Sequence, residues 1–290
     1  MEKKIALFAV AFMIVIVTNS AVLALTPMGP PKAMLGQDRW DIGVEYGYQS
    51  MDLEATGTDI DIVTNSVFPE TNWIATRKGK YEINDFKSNV ILGRLGYGIS
   101  DSWDAFVRLG AVDGQCDLDQ TFSDGARHEY RDFDGSFGLA WGFGTRATFW
   151  QDGEISWGGL FQMTWMEPDD SSISGTLLPD NLHYSGTADI DIREVQIAIG
   201  PTWRIEDNLR VYGGPFLHYI DGDLDVSGGT TTSNPGERID MKSSCDIEEK
   251  SQFGGYVGAN FDVDENTSCF IEYQLTDDAW AIGLGGARRF

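Results

Sequence analysis

The chain has 290 residues, 12% of them aromatic, with 34 glycines and a net charge of −24. That charge excludes nucleic-acid binding, which needs a basic face, and argues against a soluble domain docking on an anionic membrane surface. The length allows one large β-domain or two small ones; no Ser/Pro-rich linker divides the chain after residue 35, so one domain is expected.

The elements begin with an address. Lys3 and Lys4 precede an apolar run from Ile5 to Val17, and Val22-Leu23-Ala24 ends in the small residues a leader peptidase accepts. This is the pattern of a cleaved signal peptide over residues 1–24. The apolar run falls short of the roughly 20 residues that span a bilayer. Residues 25–37, with Pro30 and Pro31 adjacent, read as an extended periplasmic segment leading into the first strand.

From residue 38 to 290 the chain alternates with period two, the signature of strands with one apolar face. Trp40, Ile42, Val44, Tyr46 and Tyr48 form the first such face, with Asp41, Glu45 and Gln49 between them. The second and third run through Ile91, Leu95 and Ile99 and then Trp103, Val107 and Leu109, joined by the turn Ser100-Asp101-Ser102. Phe133, Phe137, Leu139, Trp141 and Phe143 mark the fourth, and Trp157, Phe161, Met163 and Trp165 the fifth. The sixth and seventh, around Val195–Ile205 and Leu209–Tyr219, contain Pro201 and Pro215, which lack a ladder donor and suggest bulges. The eighth, ninth and tenth follow around Phe253–Val263, Cys269–Leu275 and Trp280–Phe290.

Short turns alternate with long polar stretches, about 52–82, 113–128, 167–187 and 221–249, which read as loops. Alternating strands with short turns at one end and long loops at the other predict an all-β, transmembrane, antiparallel up-and-down barrel over residues 38–290. Ten strands fit best, with 8 or 12 as alternatives.

The last strand ends on Phe290, with Trp280, Ile282 and Leu284 on the same parity. It resembles the closing strand of Gram-negative outer-membrane β-barrels, of the small OmpA-like, opacity-like or porin-like class. The resemblance implies an assembly signal (Trp280, Ile282, Leu284, Phe290) read by the barrel-assembly machinery. It also implies a final place among outer-membrane lipid and lipopolysaccharide. Arg288 stands where that class usually has an aromatic.

With the apolar parity outward, Glu45, Arg94, Asp104, Arg108, Glu194, Arg204, Arg210 and Glu272 face the lumen. Charges in a narrow interior must be paired or hydrated, and barrels of about eight strands fill their interior with side chains. The expectation is therefore an ion-paired lumen and a non-enzymatic role, in envelope structure or surface interaction. A small porin is the alternative. A rim-site hydrolase resembling the omptins is a third reading: His218 lies near Asp221 and Asp223, but no Asp-x-His motif is present. No cofactor is expected, and no metal: Asp221, Asp223 and Asp225 alternate like an EF-hand loop, but Val226 occupies its glycine position. Cys116 and Cys245 fall in predicted outer loops, where an exported protein can form a disulfide; Cys269 is expected to face lipid.

Overall fold

The computed structural model describes residues 25–123, 127–131, 133–178, 182–232, 234–248, 252–277 and 279–290. The predicted signal peptide lies outside the described residues. Thirteen strands form one antiparallel sheet: β1 (Trp40–Asn65), β2 (Trp73–Ser100), β3 (Trp103–Phe122), β4 (Arg127–Arg131), β5 (Phe133–Asp152), β6 (Ile155–Glu167), β7 (Ser171–Leu178), β8 (Leu182–Glu206), β9 (Leu209–Thr231), β10 (Glu237–Glu248), β11 (Phe253–Asp262), β12 (Thr267–Thr276) and β13 (Ala279–Arg289).

The pairings close twice. At the end holding the short turns, a ring of ten strands runs β1-β2-β3-β5-β6-β8-β9-β11-β12-β13 and back to β1. This is the predicted barrel, here called the membrane tier. At the other end the long strands continue into a ring of eight, β1-β2-β3-β4-β7-β8-β9-β10. β1 alone has 26 residues, where crossing a bilayer takes roughly 9–11. The second ring, the outer tier, therefore projects well past the membrane.

The four polar stretches expected to be loops are thus largely strand, and the reason they escaped notice is physical. In the membrane tier β1 points Ile42 and Val44 outward, 59% and 60% exposed, and Glu45 and Gln49 inward. Above Ser50 the parity continues but the polarity reverses. Met51, Leu53 and Ala55 face inward and are buried, while Asp52, Glu54, Thr56 and Thr58 face outward. The membrane tier has lipid outside and polar groups inside; the outer tier has water outside and an apolar core inside, beyond which Asp59, Asp61 and Gln120 are buried on the same face. A search for outward apolar faces sees only the first.

Bulges hide the continuity further. Asp85 adopts a positive φ of 52° and shifts the register of β2 against both neighbours. The inward parity switches there from Tyr81 and Ile83 to Phe86, Ser88 and Val90. The Asp52 carboxylate steadies the bulge, accepting the Asp85 N–H at 2.9 Å. A second shift, between Val112 and Gly114, turns Phe133 inward. Pro201 and Pro215 sit where the β8–β9 ladder skips from Ala198↔Phe216 to Thr202↔Tyr212 without changing register.

The outer-tier core joins Leu53, Tyr81, Ile83, Phe86, Leu118, Phe133, Ile190, Leu224 and Ile247, all at most 2% exposed. Cys116 and Cys245 belong to it. Both are free thiols facing inward from β3 and β10, so the predicted disulfide is not formed. They are packing residues, and burial holds the Cys245 thiol up at about 12. Cys269 is exposed on the outside of β12, in the parity expected for lipid contact.

Candidate functional site

The site is the lumen of the membrane tier, and its occupant is the chain itself. Residues 25–31 are buried inside the barrel, not held below it as a periplasmic tether. Luminal side chains satisfy this extended peptide one backbone group at a time. Leu25 N–H donates to Gln49 Oε1 at 2.8 Å. Thr26 donates to Glu194 through both its N–H and its Oγ, at 3.1 and 2.5 Å. The carboxylate of Glu272 takes the N–H groups of Met28 and Gly29 at 2.6 and 2.8 Å.

The carbonyls are met as well. Gln274 Nε2 donates to Thr26 O at 3.0 Å, Arg108 Nη1 to Pro27 O at 3.0 Å and Arg146 Nη2 to Met28 O at 2.6 Å. Further down, Asp104 Oδ2 accepts from Met34 and Leu35. The sequence suits this position. Pro27, Pro30 and Pro31 bring no N–H to satisfy and hold the chain extended. Gly29 turns with a φ of +68°, and an added Cβ would lie 3.1 Å from Arg146 Nη2.

Around the peptide the charges pair. Arg94 Nη2 lies 2.7 Å from Asp41 Oδ2, and Glu45 sits 3.5 Å from both Arg94 and Arg108. The guanidinium carbons of Arg94, Arg108 and Arg146 stand 5.0, 5.6 and 5.0 Å from the centroid of the Phe106 ring, within cation–π range. Glu194 also faces His218 Nε2 at 3.0 Å. Tyr212 donates to Glu272 at 3.1 Å. Glu272 and Asp104 each take a pair of peptide N–H groups, and Glu194 takes the N–H and the hydroxyl of Thr26; a buried carboxylate needs such donors.

Of the expected lumen residues, Glu45, Arg94, Asp104, Arg108, Glu194 and Glu272 are buried inside this network. Arg210 is at its lower rim, where Asp262 accepts from both Arg210 and Arg289. Arg204 is the exception: it is exposed at the short-turn end, where the β8–β9 strands run out of the lumen. The rim histidine is also corrected, since His218 is 2% exposed and luminal. Asp41, Gln49, Arg146, Gln162, Gln196 and Gln274 are buried in the lumen as well, beyond the charged set expected from the sequence. Their parity was legible; that they serve a peptide was not.

An apolar belt of outward side chains surrounds a polar, occupied lumen, and no water-soluble barrel has that polarity. The chain is a transmembrane β-barrel. No protein-family model matches it, and no curated protein does. Among solved structures it is similar to the outer membrane protein OprG from Pseudomonas aeruginosa, with TM-score 0.38 and 10% identity over 89% of this chain and 99% of that one. It is similar to the outer membrane protease OmpT from Escherichia coli, with TM-score 0.38 and 7% identity over 89% and 96%. A third, the toluene transporter TbuX of Ralstonia pickettii, has TM-score 0.35 and 11% identity over 93% and 94%.

β13 closes this transmembrane barrel on β1 from Asp41↔Arg289 to Met51↔Ala279. Phe290 N–H adds a bond to Trp40 O at 2.8 Å. Trp280, Ile282 and Leu284 lie along that strand with Phe290 just past its end, and Leu284, Arg288 and Phe290 are exposed on its outer face.

The outside of the outer tier carries the acidity. Asp189 faces Asp225 and Asp191 faces Asp223 directly across the β8–β9 ladder. Beside them Glu167, Asp169 and Asp170 help line a recess of about 920 Å³. Among the described residues no group of three or more His, Cys, Asp or Glu side chains is placed to hold a metal ion. Partial burial and the neighbouring carboxylates raise the pKa values of Asp189 and Asp191. A carboxyl whose folded pKa exceeds its unfolded one makes the fold more stable as pH falls through the folded value. The refolded protein is therefore expected to resist urea better at pH 5 than at pH 7.5, with a flatter profile in the Asp189→Asn/Asp191→Asn variant. Parallel profiles for the two proteins would exclude these residues as the source.

Proposed function

We propose that this chain is a sealed, non-conducting outer-membrane barrel that holds a stiff acidic body outside the membrane, in an envelope-structural or surface-interaction role. One observation carries the reading: the interior is filled through both tiers. In the membrane tier the N-terminal segment packs among its luminal partners, and the cavity bordered by Asp41, Glu45 and Arg146 holds about 30 Å³. In the outer tier the inward side chains form an apolar core, with a buried polar cluster of Asp59, Gln120 and Ser243 beyond it. Lipid and lipopolysaccharide are the partners of the apolar belt, and the closing strand with Phe290 is the element the assembly machinery reads.

The test is conductance. Purified protein in planar bilayers is expected to give no stable current steps, and none after removal of residues 25–35, because the outer-tier core still blocks the path. Stable steps from the intact protein would instead support the small-porin reading.

A further inference from the structure

We propose that the short-turn mouth of the barrel is an oxyanion site, where Lys32, Arg204 and the hydroxyls of Ser156 and Thr202 hold a phosphate group beside Arg210. This goes beyond the sealed-barrel reading, which assigns no ligand to that end.

The chain as a whole carries a net charge of −24, yet this mouth gathers cations. Arg204 and Arg210 stand directly opposite each other across the β8–β9 ladder. Like charges so placed destabilise a sheet, and a counterion relieves them. Among charged groups, Arg210 and Arg204 act most strongly on the Lys32 ammonium, followed by Asp262. Asp262 does not neutralise all of these cations: its Oδ2 lies 2.6 Å from Arg210 and its Oδ1 3.0 Å from Arg289. Lys32 and Arg204 are left without an ion pair among the described residues. Glu154, Glu206 and Asp207, in the adjoining turns, are exposed and pair with neither.

The hydroxyls are a second, independent observation. Lys32 is fixed over β6, since a Cβ added at Gly158 would lie 2.6 Å from Pro31 O and 2.8 Å from Lys32 Cα. From there Lys32 Nζ donates to Ser156 Oγ at 3.3 Å. Ser156 stands opposite Thr202 across the β6–β8 ladder. Thr202 is 1% exposed, and its Oγ1 has no hydrogen-bond partner. A buried hydroxyl left in that state is costly and calls for an explanation. It lies beside the hydroxyl that Lys32 reaches and two positions along β8 from Arg204, on the same parity.

Ammonium and guanidinium groups are strong partners for phosphate oxygens. A phosphate here neutralises the two unpaired cations and gives Thr202 an acceptor. Its source is either a phospholipid headgroup of the facing leaflet or free phosphate.

Protein purified from membranes is exchanged into detergent free of phosphate and sulfate. It is titrated by calorimetry with inorganic phosphate and, separately, with dihexanoyl phosphatidylglycerol. One phosphate group per chain is expected to bind. Arg204→Gln and the isosteric Thr202→Val should each weaken binding by about tenfold, the scale of one hydrogen bond to a charged group. Arg39→Gln, at the same end but before β1, should leave it unchanged, and matching urea midpoints show that the variants fold. Lys32 gives a second readout, because trypsin cuts after it only when the segment is out of the barrel. Saturating phosphate should slow that cut by about tenfold through its preference for the seated form, and sodium chloride at equal ionic strength should not. Lipid binding tighter than inorganic phosphate assigns the site to a headgroup; equal or weaker lipid binding assigns it to free phosphate. The proposal is overturned if neither probe binds saturably, if either Arg204→Gln or Thr202→Val leaves binding unchanged, if Arg39→Gln weakens it equally, or if phosphate leaves the trypsin cut as it was.

Discussion

Replacing Glu272 by leucine is expected to unseat the N-terminal segment and to cost about 3–5 kcal/mol, the range for stripping one partner from a buried charged network. The carboxylate is 1% exposed. It accepts from Met28 N–H, Gly29 N–H, Tyr212 and Gln274. Leucine roughly preserves volume, so packing is not the main loss. The loss is that four donors keep their burial without an acceptor, at about 1–3 kcal/mol for each that finds no substitute. The urea midpoint and trypsin cleavage after Lys32 should move together. The same substitution at Glu265, exposed in the β11–β12 turn, should move neither. An unchanged midpoint for Glu272→Leu would mean that the segment contributes nothing to holding the barrel.

The second large effect sets two positions on one face of one strand against each other. Val44 and Thr58 both point outward from β1. Val44→Arg puts a guanidinium against lipid, which in membrane barrels costs about 2–4 kcal/mol near the bilayer midplane. Thr58→Arg, fourteen positions further along, puts the same group into water and should stay within about 0.5 kcal/mol. On the inner side the order reverses. Phe86→Ala, in the outer-tier core, should cost about 3–5 kcal/mol through the lost ring and the cavity left behind. Equilibrium unfolding in vesicles measures all three. A destabilising Thr58→Arg beside a tolerated Val44→Arg would place the membrane boundary at the wrong end of β1.

The two arguments share a cause, the reversal of polarity along continuous strands. Below Ser50 the barrel is built as a solute of the bilayer, and above it as a solute of water. Each half is stabilised by a different burial: the outer tier by apolar side chains removed from water inside it, the membrane tier by backbone groups fully paired within the closed ring. The inward polar groups of the membrane tier then need partners of their own, and the N-terminal peptide supplies many of them. Filling the lumen and satisfying its charges are one solution.

The ten membrane strands, their short turns and their inward parity were legible because alternation depends only on near neighbours. Glu45, Arg94, Asp104, Arg108, Glu194 and Glu272 were placed inside for the same reason. Arg204 was misplaced because parity says which way a side chain points, not where along the strand the lumen ends. The outer tier was missed because its alternation has the opposite sign and is interrupted by bulges such as that at Asp85. Without the full length of β9, His218 reads as a rim residue; the strand runs on to Thr231 and leaves it luminal.

By itself, then, the sequence determined the transmembrane barrel, the acidity of its outer end and the faces of its membrane strands, since period-two polarity is a local property. Only the tertiary structure decided that the long polar stretches close into a second ring. It alone left Cys116 and Cys245 as separate buried thiols. It alone brought residues 25–35 into the lumen, because the bonds from Thr26 to Glu194 and from Met28 to Glu272 join positions 168 and 244 apart in the chain. No local pattern carries a contact of that separation; it exists only once the ring has closed.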